Sequence, residues 1–126
     1  MVTDPISDLL VRLQNASRVG HDRISLPYSR IKHAIAKILE KEGYVGEVSK
    51  KGHELVVGLR YEGGKPAILG TKRISKPSRR MYLGVRDVRQ VKRGHGLLIL
   101  STPAGVLTGK DAQAARVGGE ALFEIW

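Results

Sequence analysis

Two stretches near the start of the chain carry apolar residues at helical spacing. Ile6, Leu9, Leu10 and Leu13 form one stripe, with Asp8, Arg12 and Gln14 off it. Asp4-Pro5 predicts the helix start, because a carboxylate can cap exposed N–H groups and proline has no N–H to leave unpaired. Val19-Gly20 predicts its end. Ile31, Ala34, Ile35, Ile38 and Leu39 form the second stripe, in a helix starting at Ser29 or just after it. Gly43 sits where a C-terminal cap belongs. Between the helices, Arg23 to Tyr28 alternates as a short strand with Ile24 and Leu26 on one side.

After Gly43 the period changes. Tyr44 to Ser49 and Glu54 to Tyr61 read as strands flanking the polar turn Lys50-Lys51-Gly52-His53, and Glu62-Gly63-Gly64-Lys65 turns again before a strand over Ala67 to Ile74. Helix, strand, helix and three antiparallel strands predict a two-layer α/β unit: two helices on a sheet of three or more strands. Proline interrupts any strand at Ser75-Lys76-Pro77-Ser78, so the expected division is residues 1–75 and 76–126. The second unit reads as mainly β. Arg80 to Leu83 is a short strand, Gly94-His95-Gly96 a turn, and Leu97 to Leu100 an apolar strand buried on both faces. Ser101 to Gly105 reads as a loop. Thr108 with Asp111 predicts a capped short helix reaching about Arg116, and Gly118-Gly119 leads into a last strand, Glu120 to Trp126. The fold class is therefore α+β.

Composition narrows what such a chain can do. Its 126 residues include no cysteine, which removes disulfides, thiolate metal sites and a cysteine nucleophile. No apolar run approaches the roughly 20 residues needed to span a bilayer, and the first residues lack a signal-peptide pattern, so the expected location is the cytoplasm. Charge changes the picture most. Lys and Arg number 22 against 12 acids, a net charge of +10. Nine of those cations (Lys72, Arg73, Lys76, Arg79, Arg80, Arg86, Arg89, Lys92, Arg93) lie between 72 and 93 with one acid, Asp87. A polyanion would relieve the self-repulsion of such a segment; a merely solvated face is the plainer alternative.

Catalytic signals fail in detail. Gly105-Val106-Leu107-Thr108-Gly109-Lys110 follows a strand and precedes a helix, as a phosphate-cradling loop does. Three residues separate its glycines instead of four, however, and Asp111 stands where a magnesium-binding hydroxyl belongs. A small phosphate-ligand enzyme built on this loop is the alternative reading. His21, His33, His53 and His95 are not at ligand spacing, and no serine sits in a nucleophile elbow. No cofactor, metal or catalytic residue is expected. Basic strands and loops carrying small hydroxyl residues suit irregular RNA, whose phosphates, 2′-hydroxyls and splayed bases are accessible. Ser101 and Thr102 beside Gly105 fit that use, and equally fit an ordinary Ser/Thr turn.

Thr3-Asp4-Pro5-Ile6-Ser7-Asp8 with Asn15-Ala16, then Ser75-Lys76-Pro77, Arg80-Met81-Tyr82-Leu83-Gly84, Gly96 to Thr102, and Gly118-Gly119-Glu120 to Trp126 follow in order along the chain. Together they resemble the bacterial small-subunit ribosomal protein eight family. The resemblance implies direct binding to the central domain of 16S ribosomal RNA, help in assembling the platform, and contact with neighbouring ribosomal proteins, numbers five and twelve. In some members it also implies repression of their own operon messenger. It implies RNA contacts at Ser101, Thr102, Gly105, Tyr82 and Gly118-Gly119-Glu120, with Thr3, Asp4, Pro5, Asn15 and Lys32 as further contacts. Lys76, Arg79 and Arg80 join them from the basic segment. Four positions depart from the family pattern. Pro103 stands where the loop usually has a second serine, Gly109 replaces an aspartate with Gln113 in place of an arginine, and Ser78 replaces a glycine.

Overall fold

The structure is a computed structural model, and it describes residues 4–88 and 96–126. The chain forms two compact units, one of residues 5–69 and one of residues 70–126 with the first four residues.

In the first unit, α1 (Pro5–Val19) and α2 (Arg30–Lys41) accompany an antiparallel sheet of β1 (Arg23–Pro27), β2 (Val45–Lys51) and β3 (Glu54–Leu59), in the order β1-β3-β2. The predicted stripe of α1 is its buried face: Ile6, Leu9, Leu10 and Leu13 are all buried. The α2 stripe is rotated relative to expectation. Lys32, Ile35, Ala36 and Leu39 are buried, while Ile31, Ala34 and Ile38 are half-buried. Both ends of α2 are capped as read. Ser29 accepts a hydrogen bond from the Lys32 N–H at 3.2 Å. At the other end Gly43 adopts φ +86° while Gly43 and Tyr44 donate to Glu40 and Leu39 carbonyls, which satisfies the last turn. Gly63 and Gly64, both at positive φ, turn the small hairpin of β4 (Tyr61–Glu62) and β5 (Lys65–Pro66).

The second unit is built on β10 (Gly119–Ile125). One edge of β10 pairs with β8 (Leu97–Thr102), which pairs in turn with β9 (Gly105–Thr108); β6 (Thr71–Arg73) and β7 (Tyr82–Leu83) also pair antiparallel with β10. α3 (Gly109–Ala114) covers a core of Val88, Leu98, Leu100, Ala112 and Ala121. Leu98, Ile99 and Leu100 are all buried, so β8 has apolar residues hidden on both faces, as its unbroken run predicts.

Three expectations are corrected. The strand over Ala67 to Ile74 shrinks to Thr71–Arg73 and joins β10, because Gly70 and Trp126 exchange both backbone hydrogen bonds and start that ladder. Ser101 and Thr102 are the last two residues of β8, not a loop; only Pro103-Ala104 turn. Gly105–Thr108 is a strand, in which Val106 and Leu107 pair with Ser101 and Leu100. The turn read at Gly94-His95-Gly96 lies largely outside the described residues, as do Thr3, Arg89, Lys92 and Arg93.

Candidate nucleic-acid interface

Register aligns the candidate residues of the second unit. Glu120 of β10 is directly opposite Ser101 of β8 on one side and Tyr82 of β7 on the other. Opposed residues of antiparallel strands project from the same face, with Cβ atoms about 5 Å apart. Ser101, Glu120 and Tyr82 therefore form one row across three strands, spanning roughly 10 Å. The next row, Leu100 and Ala121, is buried on the opposite face in the α3 core, so the platform beneath is rigidly packed.

Each member of the row has a distinct chemistry. Tyr82 is 69% exposed, an unusual position for an aromatic ring and a free surface for stacking. The Ser101 hydroxyl is half-buried and makes no hydrogen bond among the described residues. Thr102 differs: its Oγ1 donates to the Gly105 carbonyl at 2.7 Å and accepts from the Ala104 N–H at 3.1 Å. Its hydroxyl proton is committed to the hairpin turn that Gly105 closes at φ +110°. The two hydroxyls that sequence alone could not separate thus divide their work, one free and one closing the turn.

Glu120 is the electrostatic centre. Its Oε2 accepts from Ser75 Oγ and from the Arg80 guanidinium at 2.9 Å. Burial pushes this carboxyl up, but the hydrogen bonds from Ser75 and Arg80 outweigh it and hold the group below its ordinary value. Arg80, 52% exposed along its side chain, gains the complementary shift upward from Glu120. Lys76 and Arg79 lie beside it on a tight turn, each backbone N–H bonded to the other's carbonyl at 2.9 Å, and both side chains are exposed.

The structure places the remaining candidates in other settings. A Cβ on Gly118 would lie 2.3 Å from the Leu83 carbonyl oxygen, and one on Gly119 2.2 Å from that of Ser101. These glycines let β10 press against β7 and β8 and so set the row. Asp4 is gripped by Arg73 through two hydrogen bonds of 3.2 Å. Pro5 and Asn15 are exposed on α1, and Lys32 is 6% exposed on α2, all within the first unit. Ser75, read from sequence as a boundary residue, proves to be fully buried and bonded to the row. The Gly105–Lys110 segment presents no cradle, because Gly105 to Thr108 is paired strand and Gly109 is packed against Val88. Among the described residues there is no cluster of His, Cys, Asp or Glu able to hold a metal, and no helix long and apolar enough to cross a membrane.

Comparison with known proteins places the chain in a family. The family model for ribosomal protein S8 matches residues 4–126. The small ribosomal subunit protein uS8 of Nitratidesulfovibrio vulgaris (strain Miyazaki F) is 49% identical, with both chains covered completely. That of Oleidesulfovibrio alaskensis is 48% identical over the same span, and that of Persephonella marina 42%, again with full coverage of both. The chain belongs to the ribosomal protein S8 family, whose members are proteins of the small ribosomal subunit.

Proposed function

We propose that this chain is a non-catalytic component of the small ribosomal subunit in the cytoplasm and binds directly to the central domain of 16S ribosomal RNA, helping to assemble the platform. The observation that carries the reading is the Ser101–Glu120–Tyr82 row flanked by Lys76, Arg79 and Arg80. A free hydroxyl, an ordered carboxylate and an exposed ring supply donor, acceptor and stacking surface to bases and riboses. The neighbouring cations meet phosphates and fix the register without reading sequence. Asn15, Pro5 and Lys32 contribute further contacts from the first unit, and Thr3 from the chain start. A messenger segment that reproduces the rRNA site is held by the same row, which is the basis for repression of its own operon. Protein neighbours five and twelve of the subunit are the expected protein partners.

The test is binding of the purified protein to a transcript of the bacterial 16S central domain and to a random RNA of equal length. Tyr82→Ala and Ser101→Ala are each expected to weaken cognate binding by roughly 1–3 kcal/mol for the ring and 0.5–1.5 kcal/mol for the hydroxyl. Random-RNA binding should stay constant. Equal affinity of the wild-type protein for both RNAs would overturn the reading.

A further inference from the structure

Both protein donors to Glu120 converge on one oxygen. Oε2 accepts from Ser75 and from Arg80, whereas Oε1 has no partner among the described residues. The carboxylate side chain retains 15% exposure, so its unused oxygen is reachable. Ser75 itself is 0% exposed and sits where β6 and β7 meet along one edge of β10. Its N–H donates to the Ala121 carbonyl at 2.9 Å, and its Oγ accepts from the Met81 N–H at 3.1 Å while donating to Glu120. One buried hydroxyl thereby ties three elements together: the end of β6, the approach to β7 that carries Tyr82, and the carboxylate of β10.

A hydroxyl with one proton and two neighbours has only one arrangement here. The Met81 N–H can only donate, so Ser75 must accept from it and must give its own proton to Glu120. This makes the orientation of the carboxylate a property of the backbone and not of a mobile surface pair. We infer that Ser75 is a positioning residue for RNA recognition: it fixes Glu120 so that Oε1 is presented, ionised, as an acceptor for a donor on the RNA. This inference rests on the RNA-binding reading above and adds to it the class of group recognised. That group is a neutral hydrogen-bond donor, either a ribose 2′-hydroxyl or an exocyclic amine of a base, since a phosphate would be repelled.

The arrangement also answers an electrostatic difficulty. Moving a carboxylate towards phosphates favours its protonation, and a protonated acid would lose its acceptor role on one oxygen. The charged groups acting on Glu120 from the surrounding elements are Arg80 and Arg73, and Arg80 is itself influenced by Tyr82 and Asp4. With the proton of Ser75 they keep the acid ionised beside a polyanion.

The experiment uses the full chain and a 16S central-domain transcript. Ser75→Ala, Glu120→Gln and the double variant are compared for affinity, each at a temperature below its own unfolding midpoint. Ser75→Ala should weaken cognate binding about five- to tenfold, as one directed hydrogen bond requires, with random RNA unaffected. The double variant should bind no worse than Glu120→Gln alone, because Ser75 acts through Glu120. Additive losses, or a folded Ser75→Ala protein with unchanged affinity, would overturn the inference. A second measurement serves if Ser75→Ala does not fold: the 13C carboxyl titration of Glu120 in the wild-type protein, free and RNA-bound. Because phosphates of either RNA raise the midpoint, the deciding comparison is the cognate transcript against a random RNA of equal length: donation should leave the midpoint lower on the cognate RNA, and an equal or higher midpoint there would overturn the proposal. Transcripts with single 2′-deoxy substitutions, set against single base changes, separate ribose from amine as the donor. Failure of the wild-type protein to prefer the cognate RNA would instead refute the RNA-binding reading itself.

Discussion

Single residues in this fold are judged by the backbone they must adopt, and two residues three positions apart illustrate opposite cases. Arg116 has φ +56°, the left-handed region, at the position after α3 where glycine is favoured; its N–H and that of Val117 close the helix on Gln113 and Ala112. A side chain there costs about 1–2 kcal/mol, partly offset by the entropy glycine would lose. Arg116→Gly is therefore expected to stabilise the protein by about 0.5–1 kcal/mol, seen as a higher urea midpoint at unchanged slope. Gly119 has the reverse constraint: a methyl group would fall 2.2 Å from the Ser101 carbonyl oxygen, which is backbone and cannot swing aside. Gly119→Ala should cost about 1–3 kcal/mol through forced separation of β10 from β8, and should disturb the Ser101–Glu120 alignment with it. A destabilised Arg116→Gly or a neutral Gly119→Ala would each reject its half of this account.

Between elements, the clamp of α2 on β2 is the clearest case of side chains repairing a backbone irregularity. The β2–β3 ladder slips between Val45 and Val48. There the Val48 N–H donates to Glu40 at 3.1 Å, while Lys37 reaches both Glu40 and the Val48 carbonyl. The Val48 hydrogen bond, with Lys37 second, holds the Glu40 carboxyl below its ordinary value despite slight opposition from burial. Its stabilising contribution is complete above about pH 4.5 and is lost as the pH falls through the lower value of the folded protein. Glu40→Gln keeps an acceptor for Val48 but cannot titrate. Its stability should thus fall less steeply on acidification than that of the parent, in urea midpoints measured from about pH 3 to 7. Identical acid limbs would show that Glu40 carries no part of the transition. Such local relations explain what the sequence made readable. Ser29, Gly43 and Thr108 mark helix ends because their partners lie within four residues. The Ser75–Glu120 bond joins positions 45 apart and the Asp4–Arg73 pair positions 69 apart, so no local pattern announces either. The strand β9 was hidden differently, since Gly105 reads as a turn residue and Thr108 as a helix cap, and the two adjacent apolar residues between them, Val106 and Leu107, are too few to show a period.

For the molecule as a whole, the distribution of charge decides more than its total. Residues 5–69 hold eleven Lys and Arg against seven acids, whereas residues 70–126 with the first four hold eleven against five. Within the second group two described cations are neutralised in place, Arg73 by Asp4 and Arg80 by Glu120. Lys76 and Arg79 are exposed and have no acidic partner among the described residues, at a turn one step from Arg80 and the row. If these two meet phosphates, each displaces about one counterion when RNA binds. Lys76→Gln and Arg79→Gln should then each flatten the dependence of log affinity on log salt by about one unit, for cognate and random RNA alike. Lys65, exposed on β5 in the other unit, is the control, and Lys65→Gln should leave the slope where it was. The row behaves in the complementary way, because Tyr82→Ala and Ser101→Ala remove no charge and should lower cognate affinity at constant slope. Arg89, Lys92 and Arg93 belong to the same basic segment by sequence, and their slopes measure how far the phosphate track extends. Unchanged slopes for both Lys76→Gln and Arg79→Gln would mean that this turn faces water, leaving recognition to the uncharged members of the row and to Glu120.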